Sequence, residues 1–161
     1  MVNVLFVCLG NICRSPAAEG VFQKIIDEKK LHDQVTCDSA GTSAYHSGEP
    51  ADGRMSEKAR ERGYLLTSIS RQFIESDLKN FDYILVMDSS NYSDVKAIDY
   101  RGEYLDRVHQ FTDFCTIHDI NAVPDPYYGN GDGFSLVMDI IEDGCNGFLD
   151  HLIKKEQVDI K

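Results

Sequence analysis

Short apolar runs alternate with longer amphipathic stretches along this chain. Apolar runs predict buried strands over residues 2–8 and 83–87, and residues 35–39 and 108–111 are predicted as two further strands. Apolar residues at helical spacing predict helices over residues 15–30, 51–62 and 134–155, and capping residues at 88–90 predict another helix there. Strands that alternate with helices predict parallel β-α-β units with right-handed crossovers and helices on both faces of the sheet.

Cap and turn residues mark the ends of the first elements. Ser15 and Pro16 are typical of an N-cap and the first residue of a helix. Gly41 ends the second predicted strand, and Gly63 ends the second predicted helix. Because ligands of parallel sheets bind at the carboxyl ends of the strands, the first strand brings Cys8 to the edge where chemistry is expected.

Composition and charge narrow the classes of function. The chain has 161 residues, 42% hydrophobic and 27% charged, so we expect one globular domain over residues 1–161. Asp and Glu number 27 against 16 Lys and Arg, which gives a net charge of −11. Nucleic acids and anionic membranes bind basic surfaces, so we expect neither as a partner.

The five cysteines lack the spacing of a disulfide framework or a zinc site. The N-terminal apolar run is shorter than a signal-peptide core, and no run reaches the length of a membrane span. We therefore expect a cytoplasmic protein with free thiols.

The residues after the first strand carry the chemistry. Cys8 is followed by five residues that include Gly10, then by Arg14 and the Ser15-Pro16 helix start, and we name residues 8–15 the cysteine loop. Inward-facing amides at a helix N-terminus bind phosphate, and the Arg14 guanidinium can hold two phosphate oxygens. The helix N-terminus and the arginine also favour a thiolate at Cys8, to which Ser15 can donate its hydroxyl hydrogen. The pattern predicts a phosphate site with a nucleophilic cysteine.

A thiolate that attacks a phosphate ester needs an acid to protonate the departing oxygen. Asp125 is the best candidate, because Pro124 and Pro126 hold its backbone extended in a stiff loop. Tyr127 and Tyr128, which follow, can form the wall of a pocket for an aromatic ring.

Residues 7–16 (VCLGNICRSP) and 125–130 (DPYYGN) resemble motifs of the low-molecular-weight protein tyrosine phosphatases. Residues 38–42 (DSAGT) and 81–88 (FDYILVMD) resemble that family as well. The resemblance covers essentially the whole chain, in the family's order and at its typical length. It implies an α/β domain with a four-stranded parallel sheet and helices on both faces, and a phosphocysteine mechanism without metal or other cofactor.

The resemblance also implies roles for single residues. Cys8 is the nucleophile, Arg14 binds the phosphoryl oxygens, Asp125 is the general acid and then the base, and Ser15 assists the thiolate as leaving group. The remaining loop residues, Leu9, Gly10, Asn11, Ile12 and Cys13, contact the phosphate. Asn11 and Ser39 hold the loop in shape, and Tyr45, Tyr127 and Tyr128 line the entrance. The expected ligands are phosphotyrosine-containing proteins or peptides and aryl phosphates, with phosphate, sulfate or vanadate as smaller occupants of the site.

The chain departs from the family pattern in two places. Ser68 stands where many members have a histidine that bonds to the loop asparagine, which predicts a weaker or water-bridged network around Asn11. Residues 131–133 (GDG) are richer in glycine than usual, which predicts a less rigid loop after Tyr128.

Cys13 leaves two interpretations open. In the family such a neighbour can form a disulfide with an oxidised nucleophile, and otherwise it is a small apolar packing residue.

Three other functions compete with this one. An arsenate reductase on the same scaffold uses two further cysteines after the third strand, and residues 81–93 contain none. Protein-arginine phosphatases tend to carry a threonine where Ile12 stands. A binding module without catalysis is the third alternative, but Cys8, Arg14, Ser15 and Asp125 are all present.

Overall fold

Strands and helices alternate along the chain in a computed structural model that describes residues 1–129, 132–156 and 158–160. The strands are β1 (Val2–Cys8), β2 (Val35–Gly41), β3 (Tyr83–Val86) and β4 (Val108–Gln110). The α-helices are α1 (Arg14–Glu28), α2 (Gly53–Glu61), α3 (Glu75–Asn80), α4 (Ser89–Ile98) and α5 (Gly133–Lys155). Short 3-10 turns lie at Leu105–Arg107, Phe111–Phe114 and Pro126–Tyr128.

The four strands form one parallel sheet in the order β2-β1-β3-β4. β1 pairs with β2 along its whole length, from Val2 opposite Val35 to Cys8 opposite Gly41. The strand order reverses at β1, because the chain adds β2 on one side and β3 on the other. Such a reversal opens a crevice at the carboxyl ends of the two strands, where Cys8 lies. The predicted four-stranded parallel α/β fold is confirmed.

Alternate residues of β1 contribute to two hydrophobic cores. Val4 and Phe6 pack into the larger core, with apolar residues of α1 and α5. Leu5 and Val7 pack on the opposite face, with residues of α3 and α4. All four side chains are fully buried. Burial on both faces explains why β1 is apolar at consecutive positions rather than at every second one.

Helices α1, α2 and α3 differ from the sequence prediction. α1 begins at Arg14 with Cys13 as its N-cap, so Ser15 and Pro16 lie within its first turn. α2 begins two residues later than predicted, because the Asp52 carboxylate caps it by accepting hydrogen bonds from the amides of Arg54 and Met55. α3 was not predicted, since six residues are too few to show an amphipathic repeat. It begins where the Ile74 amide donates to the Asp77 carboxylate.

Asn130 of the second family motif, and Gly131 of the glycine-rich segment, lie outside the described residues.

Asp143 of α5 holds the segment that follows β4. Its buried carboxylate accepts hydrogen bonds from the backbone amides of Thr116, Ile117 and His118. The Nδ1 atom of His118 lies 2.8 Å from the same carboxylate. Burial by itself raises the pKa of Asp143, but these hydrogen bonds outweigh it and lower the pKa to about 2. The ionised carboxylate therefore stabilises the folded state.

We expect Asp143→Asn to lower the free energy of unfolding at pH 7 by about 2 kcal/mol, because the folded carboxyl ionises more readily than the unfolded one. This stabilisation is complete well above the ordinary pKa of 3.8 and is lost as the pH falls toward 2. Urea unfolding should show less than half of the difference at pH 2.5. Asp150→Asn, exposed on the same helix, is the control. A difference of equal size at both pH values would contradict the account.

Candidate active site

The cysteine loop joins the end of β1 to the start of α1, and the end of β2 supports it from behind. The amide of Thr42 donates to the carbonyl of Cys8 at 2.9 Å, which continues the β1–β2 pairing into the loop. A Cβ atom on Gly41 would lie 2.7 Å from the carbonyl oxygen of Leu9 and 3.0 Å from the amide nitrogen of Asn11. Glycine at position 41 therefore allows the loop to lie directly against the neighbouring strand.

Asn11 is the centre of the hydrogen bonds that hold the loop. Its φ of 56° is left-handed, a conformation that asparagine tolerates better than most residues. The buried side chain donates from Nδ2 to the hydroxyls of Ser15 at 2.8 Å and Ser39 at 3.0 Å. Its Oδ1 accepts from the Arg71 amide at 3.0 Å. The structure therefore directs the Asn11 side chain away from the cavity.

Asn11 bonds directly to protein groups, and the weaker network expected from Ser68 stays a prediction. Ser68 makes no hydrogen bond within the described part of the chain. The Arg71 backbone amide instead bonds to Asn11 directly, and the Ser70 hydroxyl donates to the Gly10 carbonyl at 2.9 Å. A main-chain donor therefore satisfies the Oδ1 atom of Asn11.

Cys8 lies at the floor of the site, with 2% of its surface exposed. Its Sγ atom is 3.0 Å from the Oγ atom of Ser15. Because Asn11 donates to that oxygen, the hydroxyl hydrogen of Ser15 is available for another acceptor. The candidates are the Cys8 sulfur and, at 3.4 Å, the carbonyl of Ala40.

Arg14 is a buried cation, also with 2% of its surface exposed. Nη1 donates to the Asp88 carboxylate at 2.6 Å and to the Val123 carbonyl at 3.1 Å, and Nη2 to the Asp125 carboxylate at 3.3 Å. Burial lowers the pKa of Arg14, but its acidic surroundings, which include Asp88 and Asp125, raise it above its usual value. The buried Nε atom has no hydrogen-bond partner among the described residues.

Asp88 is a site residue that the sequence analysis treated only as a helix cap. One carboxylate oxygen caps α4 by accepting from the Asn91 amide at 2.8 Å, while the other binds Arg14. A signal was present in the sequence, because Asp88 closely follows a strand that is parallel to β1. Acidic residues at the carboxyl ends of adjacent parallel strands lie at the same edge of the sheet as Cys8.

Asp125 lies beside Arg14, although 111 residues separate the two in sequence. Its backbone is extended, with φ −84° and ψ 111°, as its flanking prolines predict. One oxygen of the half-buried carboxylate accepts from the Tyr127 amide, and the other from Arg14. The tertiary structure thus brings the proposed acid, the arginine and the cysteine to one cavity.

The cavity has a volume of about 410 Å³ and a mouth of aromatic rings. Tyr45 and Tyr128 are mostly exposed, whereas Tyr127 is half-buried. His46, between Tyr45 and Tyr127, makes edge-to-face contacts with both rings, at centroid distances of 4.8 and 5.7 Å. The lining consists of Cys8, Leu9, Gly10, Ile12, Cys13, Arg14, Ser43, Tyr45, His46, Asp125, Tyr127 and Tyr128. Asn11, Ser15 and Ser39 do not line it, and their side chains bond to one another behind the loop.

Two further findings concern the described residues as a whole. No three side chains of His, Cys, Asp and Glu within residues 1–129, 132–156 and 158–160 form a group that could hold a metal ion. In the same part of the chain, no helix has both the length and the apolar character needed to cross a lipid bilayer.

Comparison with known sequences decides the family. The sequence model of the family "Low molecular weight phosphotyrosine protein phosphatase" matches residues 3–158. The chain belongs to this family. The resemblance noted in the sequence is therefore confirmed, and the family is one of phosphoric monoester hydrolases.

Relatives within the family share both sequence and fold with this phosphatase chain. The low molecular weight phosphotyrosine protein phosphatase of Schizosaccharomyces pombe is 42% identical over 149 residues, 92% of this chain and 95% of that protein. A protein tyrosine phosphatase from Entamoeba histolytica, crystallised with Hepes in the active site, matches with a TM-score of 0.92 and 46% identity, over 97% of this chain and 99% of that one. The Drosophila arginine phosphatase matches with a TM-score of 0.85 and 27% identity, over 92% of this chain and 96% of that one.

Cys13 has an environment unlike that expected of a reactive thiol. It is almost fully buried, and burial raises its pKa far above the ordinary value. The negative charges of Asp52, Cys8 and Asp125 raise the pKa further. Cys13 is therefore a neutral thiol at physiological pH, next to the proposed nucleophile in the same loop.

We expect Asn11→Gly to lower the free energy of unfolding by about 1–3 kcal/mol, because the buried hydroxyls and the Arg71 amide lose their partner while glycine still adopts the left-handed backbone. Binding of inorganic phosphate should weaken as the loop loses its support. Urea unfolding and calorimetric titration measure the two effects. Lys30 has the same φ of 56° but is exposed, so Lys30→Gly is the matched control. Its effect on unfolding should stay below about 1 kcal/mol. Unchanged phosphate binding in Asn11→Gly would contradict the supporting role.

Proposed function

We propose that this phosphatase hydrolyses phosphotyrosine in proteins or peptides, and small aryl phosphates, through a phosphocysteine intermediate on Cys8. One observation carries the proposal. The sulfur of Cys8, the guanidinium of Arg14 and the carboxylate of Asp125 share a cavity whose mouth is lined by tyrosine rings. Together they supply a nucleophile, a phosphate ligand and an acid for one reaction.

The buried charge of Arg14 supports the binding step. Its Nε atom lacks a protein partner, and a phosphate oxygen would satisfy that donor. The amides of the cysteine loop supply further donors at the N-terminus of α1. Phosphate, sulfate and vanadate are tetrahedral or similar oxyanions that fit the same donors. An incoming phosphate also competes with Asp125 for the Arg14 guanidinium, so substrate binding frees the carboxyl group for proton transfer.

The reaction then has two steps. In the first, the Cys8 sulfur attacks phosphorus, the bond from phosphorus to the aryl oxygen breaks, and Asp125 gives its proton to that oxygen. In the second, Asp125 takes a proton from water, the water oxygen attacks phosphorus, and the phosphorus–sulfur bond breaks. The Ser15 hydroxyl, 3.0 Å from the sulfur, stabilises the departing thiolate.

The aromatic mouth supports the preference for aryl esters. The rings of Tyr45, Tyr127 and Tyr128 surround the position where a phosphotyrosine ring would lie above the loop. Such rings favour offset or edge contacts with another aromatic group. Ile12 lines the same cavity with an apolar side chain. This supports an aryl group over the charged guanidinium of phosphoarginine.

Hydrolysis of an aryl phosphate in the presence of a chelator tests the mechanism. We expect full activity with chelator, and no turnover by Cys8→Ser together with retained phosphate binding. Asp125→Ala should reduce kcat by about 10²–10⁴-fold, because the leaving oxygen loses its proton donor. Cys115→Ser and Asp119→Ala, which change residues outside the cavity lining, are the matched controls.

Different outcomes would contradict different parts of this proposal. Turnover that survives in Cys8→Ser would exclude the phosphocysteine intermediate, and activity abolished by the chelator would exclude a metal-free reaction. Faster hydrolysis of phosphoarginine peptides than of matched phosphotyrosine peptides would contradict the substrate assignment alone.

A further inference from the structure

A continuous chain of hydrogen bonds runs behind the cysteine loop from Glu19 to Cys8. The Ser39 hydroxyl donates to Oε1 of Glu19 at 2.5 Å. Nδ2 of Asn11 donates to Ser39 at 3.0 Å and to Ser15 at 2.8 Å. The Oγ atom of Ser15 lies 3.0 Å from the Cys8 sulfur. Ser15 and Glu19 are four residues apart in α1, so they project from one face of the helix toward the end of β2.

The chemistry of these groups determines which one donates and which one accepts in each hydrogen bond. An ionised carboxylate only accepts hydrogen bonds, so the single hydroxyl hydrogen of Ser39 is committed to Glu19. The Ser39 oxygen then presents lone pairs to the Nδ2 atom of Asn11, which only donates. The second hydrogen of the same amide goes to the Ser15 oxygen, which leaves the Ser15 hydrogen free to donate elsewhere.

That last hydrogen has two acceptors within reach. The Cys8 sulfur lies at 3.0 Å and the Ala40 carbonyl at 3.4 Å from the Ser15 oxygen. The position of the Ser15 oxygen decides between them, and the Asn11 amide sets that position. The Asn11 amide is itself anchored by the Ser39 oxygen, which is oriented by Glu19.

We propose that Glu19 is a positioning residue for the nucleophile. By accepting the Ser39 hydrogen, it orients this series of hydrogen bonds so that the Ser15 hydroxyl donates to the Cys8 sulfur. The effect on turnover rests on the proposed phosphocysteine mechanism, whereas the effect on the sulfur does not. Glu19 does not line the cavity, so it acts through Ser39, Asn11 and Ser15 rather than on the substrate.

The surroundings of Glu19 raise the pKa of its carboxyl group above the usual value. Burial and the neighbouring charge of Asp38 raise the pKa of Glu19, while the Ser39 hydrogen bond and the charge of Arg71 act in the opposite direction. Partial burial of a carboxylate is unfavourable unless hydrogen bonds compensate it. The short hydrogen bond from Ser39 is such a compensation. The donor and acceptor roles in the series of hydrogen bonds therefore depend on the Glu19 carboxylate.

Alkylation of Cys8 by iodoacetamide, followed by mass spectrometry as a function of pH, tests the proposal. Glu19→Ala removes the acceptor, and we expect the midpoint of the Cys8 profile to rise by about half to one pH unit as the thiolate loses a donor. With an aryl phosphate, kcat should fall by about three- to tenfold while KM changes less than about twofold. Glu28→Ala, which removes an exposed carboxylate from the same helix, should match the wild type.

Two more variants separate the hydrogen-bond role from other effects of Glu19. Glu19→Gln keeps an oxygen acceptor for Ser39, so its alkylation profile should stay close to that of the wild type. Ser39→Ala should shift the profile as Glu19→Ala does. The double variant Glu19→Ala/Ser39→Ala should show no additional shift, because both changes interrupt the same chain.

The proposal is wrong if Glu19→Ala and Ser39→Ala, folded as judged by urea unfolding, leave the Cys8 profile unchanged. It is also wrong if Glu19→Gln behaves like Glu19→Ala, which would assign the effect to charge, or if the double variant shows additive shifts. Turnover by Cys8→Ser would instead contradict the phosphocysteine mechanism and leave the alkylation result standing.

Discussion

The buried guanidinium of Arg14 is the interaction on which the site depends. An unpaired cation at 2% exposure would destabilise the fold, so the chain surrounds it with acceptors from distant segments. Asp88 follows β3, and Val123 and Asp125 belong to the segment that precedes the Pro126–Tyr128 turn. Satisfying one charge therefore brings the third strand, the acid and the cysteine loop together. The same charge supports the proposed binding of phosphate.

Support of the loop from behind is as important as the groups that face the cavity. A phosphate site needs several amides to converge on one point, and a loop that relaxed would lose that convergence. Gly41 allows β2 to lie against the loop, the Arg71 amide anchors Asn11, and Ser70 holds the Gly10 carbonyl. These contacts hold the loop in one conformation, as the proposed phosphate site requires.

Charge acts on two scales in this molecule. The net charge of −11 makes most of the surface acidic, yet the cavity holds a buried cation and the N-terminus of α1. At physiological ionic strength, charges farther apart than about 8 Å are largely screened. The local donors therefore dominate binding of an anion inside the cavity. The proposed recognition of phosphate therefore depends on contact geometry rather than on the net charge of the protein.

The contiguous parts of the fold and site were predictable from the sequence. β1, the cysteine loop and α1 lie within the first 28 residues, so their apolar pattern and Gly10 act on near neighbours. The start of α1 at Arg14 precedes the predicted Ser15-Pro16 start. The stiff backbone of Asp125 followed equally from its adjacent prolines. The resemblance to the family implied the roles of the site residues and the four-stranded parallel sheet. Helix α3 was missed because six residues carry too little periodicity.

The tertiary structure decided which distant groups meet. Asp88 bonds to Arg14 across 74 residues, and Ser39 reaches Glu19 across 20 because strand register places it there. The donor to Oδ1 of Asn11 is the backbone amide of Arg71, a group that every residue except proline possesses. Local sequence determines which elements form, since propensity and capping act within a few residues. Long-range hydrogen bonds depend on how those elements pack, and a main-chain donor has no side-chain identity to reveal it.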